Sequence, residues 1–284
     1  MKRMGKSYRL IVLRQWQLYA IVRPKPDRQL PTQIRHPTTL EHAHSARQST
    51  PARSAIAPCL HPWHKRAMTT PHMIIDALLI GKPVPFRGED YSAIAKQPTR
   101  DPVRIGWAGF EGDQVADTVH HGGWDKAIHL YPQDHYGWWR DRKPGQPLLE
   151  APGAFGENIA SRGMTEADIC LGDRFSLGSA VVEVSHGRQP CWKLDHRFAA
   201  RDVMATIVKT ARSGLYFRVI REGEAQAGTR MDLLDRPLAD WPIARVFHLL
   251  IGGGHKADPA AVRTLADMPV LAEAWRDRAR KLAG

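Results

Sequence analysis

From residue 73 to about 235, hydrophobic and polar residues alternate in short runs; beyond that the spacing switches to a helical period. "IIDALLI" (74–80), "VRIGWAG" (103–109), "KAIHLYP" (126–132), "FGENIA" (155–160), "DRFSLG" (173–178), "AVVEVS" (180–185) and "LYFRVI" (215–220) are short, often β-branched, and bounded by Gly, Pro or Asp. That pattern predicts strands. "DRFSLGSAVVEVSHG" reads as a hairpin turning at Gly178-Ser179. Two helices interrupt the strands: one near "QDHYGWWRDR", and one from about Ala199 to Arg212 with Gly214 as its expected C-cap. After Asp235, Ile243, Val246, Phe247 and Leu250 fall on one helical face, with Pro242 expected in the first turn. "DPAAVRTLADM" and "PVLAEAWRDRARKL" follow, each an amphipathic helix opening on a proline. The predicted fold is mainly β, a barrel or sandwich over 73–235 with peripheral helices, followed by a three-helix appendage at 236–284.

Charge changes this picture at one end only. The chain carries a formal +12, which at first points to a nucleic-acid partner. Residues 1–67 hold thirteen Lys and Arg against Asp27 and Glu41, so +11 of that charge lies there and the remainder is nearly neutral. No stable nucleic-acid binding is expected of the body. The basic segment is expected to be an extension of the reading frame ahead of a start at Met68 or Met73; a low-order basic arm and an organelle presequence are the alternatives. The three appended helices show no concentrated basic face apart from the last, so docking or dimerisation suits them better than helix-turn-helix DNA binding. Three cysteines, Cys59, Cys170 and Cys191, make no disulfide framework and fit a reducing, cytoplasmic setting. No apolar run is long enough to span a membrane.

Candidate chemistry is sparse. No zincin, P-loop, nucleophile-elbow or CxxC motif occurs, and Pro83 follows Gly81-Lys82 where a P-loop needs Ser or Thr. "IGGGHK" (251–256) lacks a preceding strand and reads as a loop between helices. "HHGGWDKAIHLYP" places His120, His121, Gly122 and Gly123 just before a strand. This is either a turn whose N–H groups converge on an anion or a glycine turn flanked by exposed histidines. His120, His121, His129 and His135 match no zinc spacing. In "GAFGENIAS", Asn158 is placed either to meet a heterocycle edge or to satisfy its own turn. "HGRQPCWKL" sets Cys191 at the end of a strand beside Arg188 and Lys193, where positive charge favours thiolate; an inert buried thiol is the competing reading, and one that Cys170 fits.

Taken together and in this order, "IGKP" (80–83), "VHHGGWDKAIHLYPQDHY" (119–136), "GAFGENI" (153–159), "LGDRFSLGSAVVEVSHGRQPCWKL" (171–194) and the helical tail resemble the MOSC domain family. The likeness is to its bacterial YiiM type, associated with resistance to 6-N-hydroxylaminopurine and ending in a "3-alpha" domain. The resemblance covers roughly 73–284. It implies a MOSC-type β-barrel holding a molybdenum cofactor (Mo-molybdopterin), with Cys191 as the metal ligand. It further implies that Arg188 and Lys82 meet cofactor phosphate, that His121 and Gly122 line the site with His121 relaying protons, and that Asn158 bonds pterin or substrate. The activity implied is reduction of N-hydroxylated bases or amines, R–NH–OH to R–NH₂ and water, with electrons from an external flavin or iron–sulfur reductase. A cofactor carrier or sulfur-transfer protein using Cys191 is the rival, with a non-metal binding module or a cysteine hydrolase pairing Cys191 and His186 behind it. A homodimer is expected from the same resemblance.

Overall fold

The computed structural model describes residues 70–118 and 121–284. The expectations for residues 1–67, and for His120, lie outside these residues. Thirteen strands are described: β1 (His72–Ile80), β2 (Val84–Arg87), β3 (Asp90–Ser92), β4 (Gln97–Thr99), β5 (Val103–Gly106), β6 (Gly109–Phe110), β7 (Ile128–Pro132), β8 (Ile159–Arg162), β9 (Arg174–Leu177), β10 (Ala180–Gly187), β11 (Leu215–Arg221), β12 (Gly223–Ala225) and β13 (Arg230–Asp235). The helices are α1 (Asp134–Arg142), α2 (Trp192–Arg197), α3 (Val203–Thr210), α4 (Ile243–Leu250), α5 (Pro259–Ala266) and α6 (Glu273–Ala283).

Seven strands run in the order β13-β9-β10-β11-β7-β8-β1, and β1 pairs back onto β13, so the sheet closes into a barrel. Closure removes the unpaired edges that an open sheet would expose. Most of the pairings are antiparallel, but β7 and β8 run parallel, with α1 among the residues that connect them. β4 extends the sheet beyond β1; β12-β5-β6 form a small second sheet, and β2 and β3 a separate hairpin. Strand β1 shows why its sequence folds this way. Met73 and Ile75 point inward by alternation; an irregularity between Ile75 and Ala77 then brings Leu78 into the same core, while Ala77 and Leu79 pack with Ala160 in a second small cluster. The irregularity in β10 between Val184 and His186 carries this strand past a strict two-residue alternation, so Ser185 and His186 are both buried near its end.

Outside the barrel, α1 presents Tyr136 and Trp139 to Tyr131 and Phe155; the Tyr131 and Phe155 rings stack at 4.0 Å. The Trp139 indole N–H donates to the Tyr131 hydroxyl at 2.7 Å, which satisfies the one polar atom of that buried side chain. Ile243, Val246, Phe247 and Leu250 of α4 are all buried, as the spacing predicts. They join the same hydrophobic core as the barrel strands.

Three boundaries differ from expectation. The helix expected from Ala199 is α3, which begins at Val203 and ends at Ala211 with a left-handed φ of 56° rather than at Gly214. Pro242 precedes α4 as its N-cap rather than entering the first turn. Helix α6 starts at Glu273, four residues after Pro269, because the Ala272 N–H donates to the Ser185 carbonyl and Leu271 is buried, which fixes this stretch against the barrel before the helix begins. The hairpin β2–β3 and the strands β4, β12 and β13 were not among the predicted elements; β2 and β3 hold few buried residues and carry little periodic signal.

Gly187, the last residue of β10, marks where the tail meets the barrel. A Cβ there would stand 3.3 Å from Ile243 Cγ2, Phe247 Cδ2 and Trp275 Cη2. The Gly187→Val variant is therefore expected to lose about 1–3 kcal/mol of stability by overpacking, read as a lower urea midpoint; an unchanged midpoint would mean that the tail does not press on this strand.

Candidate functional site

Three strands end side by side at one rim of the barrel. Tyr216 of β11 lies opposite His186 of β10 and opposite His129 of β7. Their rings form a row, with centroids 5.2 Å apart for His186–Tyr216 and 5.0 Å for His129–Tyr216. Both histidines are buried, and burial, reinforced by nearby positive charge, holds their pKa values well below 6.5. They are therefore neutral rings. His186 Nδ1 sits 2.9 Å from Ser185 Oγ, whereas His129 Nε2 is buried with no well-formed hydrogen bond among the described residues, although the Gly156 and Ser213 backbone lies within reach of the ring.

Beyond β10 the chain runs Arg188-Gln189-Pro190-Cys191 into α2. The Arg188 N–H donates to the Gly214 carbonyl at 3.0 Å. Gly214 is held in turn by Glu166, whose Oε1 accepts the Gly214 N–H at 2.5 Å and whose Oε2 lies 2.6 Å from His135 Nε2. Gly214 has φ 71°, and a Cβ would approach Leu130 O to 2.5 Å and His129 Nε2 to 2.7 Å, so only glycine fits this crossing. Arg188 is buried, its Nη1 has no partner among the described residues, and its charge and hydrogen bonding at the Tyr216 hydroxyl counter part of the rise that burial imposes on that phenol.

Cys191 is half-buried at the N-cap of α2. Burial alone would raise its pKa, but the His121 ring at hydrogen-bonding reach and the Arg188 charge outweigh that and bring it from the ordinary 9.0 to about 7. His121 is itself held from behind: its Nδ1 lies 3.2 Å from Asp117 Oδ2, and its N–H donates to the Asp117 carbonyl. The structure thus brings Cys191, His121 and Arg188 together. The ring that meets the thiol is His121 rather than His186, which is committed to the ring row.

The other predicted residues are placed differently. Asn158 sits under the site, fully engaged: its Nδ2 donates to Leu79 O at 3.2 Å and to Asp113 Oδ2 at 2.8 Å, and its Oδ1 accepts the His129 N–H at 3.1 Å. Its two amide donors serve the chain itself. Asp113 also accepts the Gly81 N–H at 2.7 Å and the buried Lys96 ammonium at 2.5 Å. Lys82 follows Gly81 and is exposed at the edge of this network. Gly122 is half-buried, with the space for a Cβ bounded by Thr118 O at 3.0 Å. His135 is a buried structural partner of Glu166. Cys170 is buried, its thiol pKa raised chiefly by burial and its Sγ 3.4 Å from Ala239 O, as an inert thiol should be.

Sequence reasoning missed Asp117 and Tyr216. Tyr216 had a readable signal, since Leu215, Phe217 and Val219 alternate as buried residues and leave Tyr216 and Arg218 on the other face. Asp117, four residues before His121, carried no distinguishing pattern.

Because thiolate is the reactive form, alkylation of Cys191 by iodoacetamide in cofactor-free protein should rise with pH through a midpoint near 7. In His121→Ala the midpoint should move up toward 9. A wild-type midpoint near 9 would contradict the arrangement described.

With this geometry in place, comparison with known proteins is informative. The MOSC domain model matches residues 117–232. The chain is 37% identical over 203 residues to the uncharacterized protein YflK of Bacillus subtilis, spanning 70% of this chain and 90% of that one. A Gibberella moniliformis protein named Reductase is 39% identical over 160 residues, which is 56% of this chain but 28% of that protein. The crystal structure of YiiM from Geobacillus stearothermophilus superposes with a TM-score of 0.63 at 36% identity, over 75% of this chain and all of YiiM. The barrel with its helical tail, the matched segment around the thiol and these relatives agree: the chain is a YiiM-like member of the MOSC domain family.

Proposed function

We propose that this protein is a molybdenum-cofactor-dependent reductase of N-hydroxylated bases or amines, with Cys191 as its metal ligand. The observation that carries the reading is a half-exposed thiol, brought to a pKa of about 7, beside a buried guanidinium whose Nη1 has no hydrogen-bond partner among the described residues. A buried guanidinium left so is costly unless something supplies its hydrogen bond. A pterin-based cofactor with oxygen and nitrogen acceptors and a phosphate fits that demand, and a soft thiolate fits its metal. Among the described residues no group of three or more His, Cys, Asp or Glu could hold a bare ion, so a metal here would arrive with ligands of its own.

Cys191 would hold the metal, Arg188 and the exposed Lys82 would meet the phosphate, and His121 and Gly122 would line the opposite side. Asn158 would act through the chain, keeping β1 and β7 in place beneath the group. When bound, the cofactor supplies the two-electron couple for breaking the N–O bond. His121, oriented by Asp117, would deliver a proton to the departing oxygen. The reaction R–NH–OH + 2e⁻ + 2H⁺ → R–NH₂ + H₂O needs an electron donor, which we assign to an external flavin or iron–sulfur reductase. The relative named Reductase supports an oxidoreductase. A cofactor carrier is the second reading, because an accessible low-pKa thiol could equally hold or hand on cofactor or sulfur.

Protein purified from a cofactor-proficient host should contain molybdenum near one per chain. It should reduce 6-N-hydroxylaminopurine with reduced viologen as donor. Cys191→Ala should lose both metal and turnover, by more than about 100-fold, while His121→Ala should keep the metal and lose roughly 10²–10⁴ in kcat. Normal turnover in Cys191→Ala would refute the ligand role; metal without turnover, passed to an apo-acceptor, would favour the carrier.

A further inference from the structure

We infer that Trp192, with Phe86 and Arg87 of the β2–β3 hairpin, forms a stacking subsite that selects substrates with a planar heteroaromatic ring. This rests on the reductase reading and adds residues that set its specificity. Trp192 directly follows Cys191, so their Cα atoms stand about 3.8 Å apart. Trp192 is 37% exposed, whereas Trp139 in the core is fully buried. A part-exposed indole on the residue next to a reactive thiol is a surface for another ring.

The surroundings of Trp192 are built from rings and one cation. Phe86 lies 5.9 Å from it and His196 6.3 Å, centroid to centroid, and Phe86 and His196 meet edge-on at 4.8 Å. His196 Nε2 sits 3.1 Å from Phe86 O and fastens the hairpin to α2. The Arg87 guanidinium covers the indole face at 3.9 Å from the ring centroid. That side chain is itself largely exposed, and its ion pair with Asp90 is long, at 3.7 Å. Guanidinium planes and indoles both stack on nucleobases. Arg87 can therefore yield the indole face to an entering ring, or close over it as the second wall of a sandwich. Among the described residues β2 and β3 pair only with each other, and the His196 bond to Phe86 O ties the hairpin to α2 rather than to a barrel strand. A small aliphatic hydroxylamine would gain nothing from these contacts.

The test compares 6-N-hydroxylaminopurine with N-methylhydroxylamine, using reduced viologen as donor. In Trp192→Ala the ratio of their kcat/KM values should fall about tenfold or more, carried by the KM of the purine, as expected for loss of one stacked base. Trp192→Phe should restore most of the ratio, and metal content should match wild type. An unchanged ratio, or a fall in molybdenum that tracks the loss, would overturn the proposal. Calorimetric binding of the purine to cofactor-free protein separates the two readings. Binding that weakens in Trp192→Ala supports the subsite even if wild type turns over neither substrate, a result that would refute the reductase alone. No purine binding to wild type, loaded or cofactor-free, would refute the subsite.

Discussion

At Gly214 the chain has room for a hydrogen and nothing larger. Its N–H is taken by Glu166, its carbonyl by the Arg188 N–H, and the Leu130 carbonyl stands where a Cβ would go. Three separate parts of the fold meet in that peptide: the loop into β11, the exit of β10, and the Glu166–His135 pair that reaches to α1. Arg188 takes its position from this crossing, and Cys191 lies three residues further on. A side chain at 214 would collide with Leu130 O and His129 Nε2 and disturb the peptide that Arg188 is bonded to. The Arg188 share of the site's electrostatics therefore rests on a backbone constraint, beside the share that His121 supplies by direct contact with the thiol.

The site also divides its polar groups into two kinds. Asn158, Asp113 and Lys96 satisfy one another in a closed network beneath it. Arg188 keeps its buried Nη1 unpaired among the described residues. Satisfied groups rigidify, whereas unsatisfied ones raise the free energy of the empty site and lower it again when a partner arrives. This division sorts framework from contact surface better than proximity alone. It is why Asn158, read from sequence as facing a ligand or its own turn, belongs to the framework.

Most barrel strands were legible as short, often β-branched runs bounded by Gly, Pro or Asp, with "LYFRVI" alternating as well, and the tail because Ile243 to Leu250 keep a helical period; β13 lacked such a signal. What escaped was what tertiary contact decides. Helix α6 begins late because Ala272 bonds to Ser185, and α3 stops at Ala211 although a glycine waits three residues on. The β2–β3 hairpin has too few inward residues to show a period, yet it carries Phe86 and Arg87. Cys191 stood out from composition and place, and its neighbours Arg188 and Lys193 are adjacent in sequence. His121 is seventy residues away and met the thiol only through the resemblance. Asp117 needed the fold.

Trp275, far out in the helical tail, lies 5.4 Å from His186, which stacks on Tyr216 in the ring row. The last helix is thus a buttress for the chemistry and not luggage attached to it. Exchanging this tail between relatives would mean re-cutting the barrel rim at Gly187 and His186 at the same time. Tail and rim should therefore diverge in step, as a single inherited piece.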